Sequence, residues 1–287
     1  MRSDAAFDPT SPKETVNRWI VGETAKARIA LDKALGEYRF NDAANGLYAH
    51  IWRVFCDWYV EFAKPLLQAE DERAAETRAT FAWALDQCLL MLQPIMPFIT
   101  EALWAETGTR AKPLIHGDWP TYGEELIDAE AQAEMGWVIG LIEQIRSVRS
   151  EMNVSPGAKL PLVLVEMSDE ATARLTRNQA LIERLARAEG IEPGTVEKGS
   201  VTLTMDGAVM ALPLAGVVDI AAEKARLDKA MAKVAKEMGG LKGKLSNEKF
   251  LANAPDEVIE EQKERLAAAE AEAGKLEAAL TRLAEMA

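Results

Sequence analysis

The sequence predicts a mainly α-helical protein built from a helical bundle, a small α/β subdomain and a carboxy-terminal antiparallel coiled-coil hairpin. Three observations predict it. Segments of helical hydrophobic period joined by short connectors fill residues 12–152, the pattern of a bundle. A short Val-rich run over 160–166 and two short apolar runs on either side of Asp206-Gly207 break that pattern. A heptad repeat then runs from Ile220 to Leu283. The corresponding divisions are 1–11 (leader), 12–157 (bundle), 158–217 (α/β) and 218–287 (coiled coil).

Ser11-Pro12-Lys13-Glu14 reads as a helix start, with Ser as cap, Pro in the first turn and Glu14 closing a capping box. Val16, Trp19, Ile20, Ile29 and Leu31 carry that helix to about Glu37. Tyr38-Arg39-Phe40 breaks it, and Asn41 or Asp42 caps a second helix over about 42–67, ending near Pro65. A third helix is expected over about 71–93. After the hinge Pro94-Ile95-Met96-Pro97 comes a short one over 98–106. Residues 108–123 form a loop, and a further helix spans about 124–152 before Pro156-Gly157. In the α/β part, 160–166 reads as a strand and 169–188 as a helix. Residues 201–205 and 209–213 form a hairpin about Asp206-Gly207. In the hairpin, Ile220, Leu227, Val234 and Leu241 interleave with Met231, Met238 and Leu245. The pattern resumes after Pro255 through Ile259, Gln262, Leu266, Ala269, Ala273, Leu276, Leu280 and Leu283. Each arm would be about 45 Å long at ~1.5 Å per residue.

Composition excludes several classes. No run of eighteen apolar residues exists, so no membrane span is expected, and residues 1–12 contain no apolar signal core. Cys56 and Cys88 alone make neither a metal site nor a disulfide framework, which points to a reducing cytoplasm. His50 and His116 stand far apart, and no Gly-rich phosphate loop follows a strand. No catalytic constellation can be assembled, and no metal site is expected.

The net charge of −13 argues against a nucleic-acid binder, but the charge is uneven. Residues 219–249 hold eight basic side chains against five acidic, and residues 256–285 hold four against nine. The eight are Lys224, Arg226, Lys229, Lys233, Lys236, Lys242, Lys244 and Lys249. They fit a phosphate-binding face, but by composition alone they better fit a solvated coiled-coil surface with Lys–Glu pairs between arms. Arg146 and Arg149 share a helix face near its carboxy end. There they can complement the helix dipole or contact RNA. The run Trp52-Arg53-Val54-Phe55-Cys56-Asp57-Trp58-Tyr59 holds more aromatics than one buried stripe needs. Most should pack in the core, with one or two left to stack on something exposed.

Several strings carry a resemblance. Asn17-Arg18-Trp19-Ile20, the run from Tyr38 to Ala44, Phe55-Cys56-Asp57-Trp58-Tyr59, Lys64-Pro65, the run from Pro94 to Trp104 and the stretch 145–156 resemble the anticodon-binding domain of valyl-tRNA synthetases. Isoleucyl and leucyl enzymes share parts of this pattern. The terminal coiled coil, with Leu245-Ser-Asn-Glu-Lys-Phe-Leu-Ala-Asn-Ala-Pro255 at its tip, resembles the valyl enzymes specifically.

This resemblance implies that residues 12–157 are an anticodon-binding domain of class I synthetase type and that 218–287 are an arm for the outer corner of tRNA(Val). It implies Arg39, Asn41, Arg53, Arg146, Arg149 and Asn153 as contacts on the anticodon side, and the eight basic residues of the first arm as the others. The catalytic and editing domains would precede residue 1, taking ATP and Mg with them, and this chain would need no cofactor. It has no His-x-Gly-His or Lys-Met-Ser-Lys type signature and would be inactive alone. A cytoplasmic monomer is expected. Two other readings stay open: a free-standing non-catalytic RNA-binding protein, and a coiled-coil protein-interaction module.

Overall fold

The computed structural model describes residues 7–69, 71–218, 220–253 and 255–286. The chain divides into two compact units, Met1–Trp137 and Val138–Ala287. Residues 1–6 of the expected leader, Asp219, Ala254 in the hairpin tip, and the side chains of Ile220 and Lys249 lie outside the described residues.

The first unit is helical. It contains α1 (Thr15–Gly36), α2 (Phe40–Tyr48), α3 (Val60–Leu67), α4 (Glu72–Leu92) and α5 (Pro97–Thr107). Between α2 and α3 the chain stays helical, but over Ala49–Tyr59 it widens to i→i+5 bonding, so the expected single helix is three consecutive segments. Tyr59, Phe62, Ile20, Leu47 and Met91 are fully buried. Phe55 packs on Phe81 at 5.2 Å and Trp19 meets Phe62 edge-on at 6.0 Å. A polar cluster crosses this core. Asn17 Nδ2 donates to Thr77 Oγ1 at 3.0 Å and to Glu76 Oε1 at 2.9 Å, and Tyr59 OH donates to Asn17 Oδ1 at 3.0 Å.

The first helix start differs from the expected capping box. Glu14 makes no side-chain cap bond. Glu76 of α4 instead accepts from the backbone N–H of Lys13 and of Glu14, each at 3.0 Å. A carboxylate from another helix thus meets the open donors and the positive end of the α1 dipole. Likewise Arg39, not Asn41 or Asp42, is the cap residue of α2, and its guanidinium pairs with Asp42. Asp71 caps α4 by accepting from Arg73 N and Ala74 N.

The loop after α5 is held by buried charge. Arg110 grips Asp86 with both terminal nitrogens at 2.8 and 2.7 Å and lies 3.7 Å over the Trp104 ring. A short 3₁₀ turn at Glu124–Leu126 delays the next helix, α6 (Ala129–Glu151), to five residues beyond the expected start. Asp128 caps it through Ala131 N at 3.0 Å.

In the second unit a four-stranded sheet has the order β2-β1-β4-β3. Its strands are β1 (Leu160–Met167), β2 (Ala188–Pro193), β3 (Ser200–Met205) and β4 (Ala208–Pro213). β1 crosses through α7 (Asp169–Ala186) to pair in parallel with β2, while β4 pairs antiparallel with both β1 and β3. The hairpin turns at Gly207, φ 69°, where a Cβ would stand 2.5 Å from Ser168 Oγ. Among the strands, β2 escaped the sequence reading, because AEGIEP offers two apolar residues, Ala188 and Ile191, three apart and without alternation.

The chain then enters α8 (Ile220–Leu245), a short α9 (Glu248–Asn253) and α10 (Asp256–Met286). Leu227, Val234 and Leu241 are buried on α8, and Ala269, Ala279 and Leu283 on α10. The interleaved Met231, Met238 and Leu245 are half-buried. Arg226 near the start of α8 and Arg282 near the end of α10 both reach Glu151, so the two helices run antiparallel. No helix among the described residues is long and apolar enough to cross a membrane.

Candidate nucleic-acid interface

The basic residues of α8 separate into two kinds. Lys224 pairs with Asp228 at 2.7 Å, and Lys242 with Glu270 of α10 at 2.8 Å. Arg226 holds the buried Glu223, with Nε 2.9 Å from each carboxylate oxygen, and its Nη2 reaches the Glu151 carbonyl at 3.4 Å. These three work within the fold. Lys229, Lys233, Lys236 and Lys244 are exposed and make no ion pair among the described residues. Steps of four and three put Lys229, Lys233 and Lys236 on one helix face, away from the Leu227–Val234–Leu241 seam. That stripe is free to meet an anion.

Arg146, Arg149 and Asn153 come together at the end of α6, in the second unit. Arg146 Nε donates to the Leu185 carbonyl at 3.0 Å. Arg149 is buried, with Nη2 donating to the carbonyls of Ser155 at 3.2 Å and Ala158 at 2.6 Å. Burial, and then the neighbouring Arg187, pull its guanidinium below the ordinary value. Asn153 is exposed with φ 49°. With Arg187 these residues line a cleft of about 480 Å³. Arg187 went unrecognised in the sequence because it follows α7, and only the folded subdomain brings it to α6.

Arg39, Asn41 and Arg53 belong to the first unit. All three are exposed. Arg39 is bound to Asp42 and to Glu37 at 3.4 Å, and these carboxylates raise its pKa. Arg53 has no ion-pair partner among the described residues. The more notable exposure here is aromatic. Tyr38 is 80% and Phe40 62% exposed, their rings edge-on at 6.4 Å. Tyr48 and Trp52 are stacked at 6.5 Å with 12° between planes, also largely exposed. Phe55 and Tyr59 are buried. The Trp52–Tyr59 run therefore divides as its composition suggested, with Trp52 left outside. Exposed planar rings next to guanidinium and amide groups are what stacking on unpaired bases requires.

Two family models match the chain. One, for the anticodon-binding domain of tRNA ligase, covers residues 17–164. The other, for the valyl tRNA synthetase tRNA binding arm, covers residues 219–284. The chain is 54% identical over 279 residues to the valine–tRNA ligase of Ruegeria pomeroyi, covering 96% of this chain and 27% of that protein. It is 54% identical over 280 residues to that of Cereibacter sphaeroides (97% and 28%) and 48% identical over 286 residues to that of Caulobacter vibrioides (98% and 32%). The chain thus spans roughly a quarter to a third of the length of these curated relatives.

Proposed function

The chain belongs to the valyl-tRNA synthetase family, and from that premise we propose that it binds tRNA(Val) through two surfaces. Residues 12–157 act as the anticodon-binding domain, 158–217 as a supporting α/β subdomain and 218–287 as the arm for the tRNA corner. The anticodon side uses the exposed aromatics about Arg39, Asn41 and Arg53 to hold splayed bases. The arm uses Lys229, Lys233, Lys236 and Lys244 for sequence-independent grip on phosphates. The observation that carries this reading is the lysine stripe, which has no acidic partner among the described residues in a chain of net charge −13.

In a complete ligase of this family the same grip places the acceptor end of tRNA in a catalytic site. Its contribution is proximity, not chemistry. The partners are then tRNA(Val) and the catalytic and editing domains. We take the chain to work as a monomer in the cytoplasm.

Binding of the chain to a transcript of valine tRNA, and to the same transcript with its anticodon replaced, tests this. A preference of about 1–3 kcal/mol for the valine anticodon, the scale of one good base contact, is expected. Equal binding of both transcripts would remove the anticodon side from the reading. Failure to bind either at low salt would contradict the whole of it.

A further inference from the structure

The cleft at the end of α6 has features that tying down a loop does not explain. Arg146, Arg149, Ser150, Asn153 and Arg187 line it, and no carboxylate does. That is unusual placement in a chain with 46 acidic residues against 33 basic ones. Arg149 is 8% exposed, and while its Nη2 is satisfied by two carbonyls, its Nη1 is buried with no hydrogen-bond partner among the described residues. A buried donor of a charged group left unmatched is costly unless an acceptor arrives.

Arg187 adds a second, independent sign. It caps the carboxy end of α7 in the left-handed region, φ 54° and ψ 46°. Glycine or asparagine suits that position, and a long β-carbon-bearing side chain there is disfavoured. Arg187 makes no ion pair among the described residues that would offset this. Asn153, at φ 49°, holds the equivalent place beyond α6. Two helix ends thus keep left-handed polar residues around one cleft.

We infer that this cleft is a phosphate-binding pocket. On binding, the Arg149 guanidinium turns its unmatched Nη1 toward the cleft and, with the guanidinium of Arg187, holds the phosphate oxygens, with the Ser150 hydroxyl and Asn153 amide as neutral donors. The ligand is a phosphodiester of an RNA backbone or a free phosphate group. The first source rests on the reading that this chain binds tRNA.

Arg187→Asn separates site from scaffold, because asparagine accepts the left-handed backbone. Three quantities are compared in the whole chain and the variant: melting temperature, the shift of arginine side-chain NMR signals on adding inorganic phosphate, and the salt dependence of affinity for a valine tRNA transcript. The pocket predicts that the variant melts no lower than the parent. Phosphate moves the Arg149 and Arg187 signals in the parent, and the Arg149 response weakens at least tenfold in the variant. If the phosphate belongs to RNA, the slope of log affinity against log salt also becomes shallower by about 0.7–0.9, one phosphate contact. An unchanged slope with a lost phosphate response assigns the pocket to a free phosphate. If the parent binds no tRNA yet shows the phosphate response, the pocket stands and the tRNA reading fails. A parent whose arginine signals do not move with phosphate, or a variant that loses stability but keeps the response, overturns the pocket.

Discussion

His50 is 4% exposed, and its Nε2 finds no hydrogen-bond partner among the described residues. Burial pulls its pKa down from the usual 6.5 to about 4. The folded chain therefore keeps the imidazole neutral where the unfolded chain protonates it. Between pH 6.5 and 4 the unfolded state binds more protons, so stability present above pH 6.5 is lost as pH falls through that window. The loss attributable to this residue reaches roughly 3 kcal/mol by pH 4, since one pKa unit is about 1.4 kcal/mol. Urea unfolding of the first unit, followed by tryptophan fluorescence, reads it directly, because all seven Trp lie at or before Trp137. His50→Leu should flatten the acid side of the stability profile by that amount. An equal acid slope in parent and variant would show that the imidazole is not held neutral. Nothing in the sequence marked this residue beyond its place in a helical run; its environment is made by the widened segment Ala49–Tyr59 and the helices packed on it.

Among the elements, α1 depends on α4 for its start. Glu76 accepts from two backbone donors at the α1 terminus and from Asn17. Glu76→Ala leaves those donors open and should destabilise the first unit by about 1–2 kcal/mol, the range of a lost cap. Glu76→Gln, which keeps an acceptor, should cost less. Denaturant titration of both variants checks the order, and equal losses would mean that charge alone matters there. This cap also shows where sequence reading stops. Ser11-x-x-Glu14 has the right spacing for a local capping box, but the bond comes from a residue about sixty positions away. The same limit hid β2, an edge strand whose order comes from pairing with β1. It also hid the i→i+5 segment, since side chains at Tyr48, Trp52, Phe55 and Tyr59 read as an ordinary helix. What was legible was everything governed by local period: the bundle helices, the Asp206-Gly207 hairpin and the heptads that bury Leu227, Val234 and Leu241.

At the scale of the whole molecule, the proposed binding of tRNA has to be reconciled with a net charge of −13. Sorting the basic residues by partner reconciles the two. Arg18, Arg110, Arg226 and Lys242 are each occupied by a carboxylate, while Lys229, Lys233 and Lys236 share one open face of α8. The sequence showed eight cations on the first arm; only the pairing within the folded hairpin separates the open stripe from the cations engaged in the fold. On the proposed reading, the excess acid elsewhere would repel a polyanion from other faces and so orient it on the stripe.

The most direct test of this account is the affinity of the chain for a valine tRNA transcript across a range of salt, compared with a variant in which Lys229, Lys233 and Lys236 are all glutamine. The account predicts weaker binding at low salt and a slope of log affinity against log salt shallower by about 2–3, one contact of ~0.7–0.9 for each lysine. The same affinity and the same slope in both proteins would contradict it, and the α8 stripe would then be solvated surface.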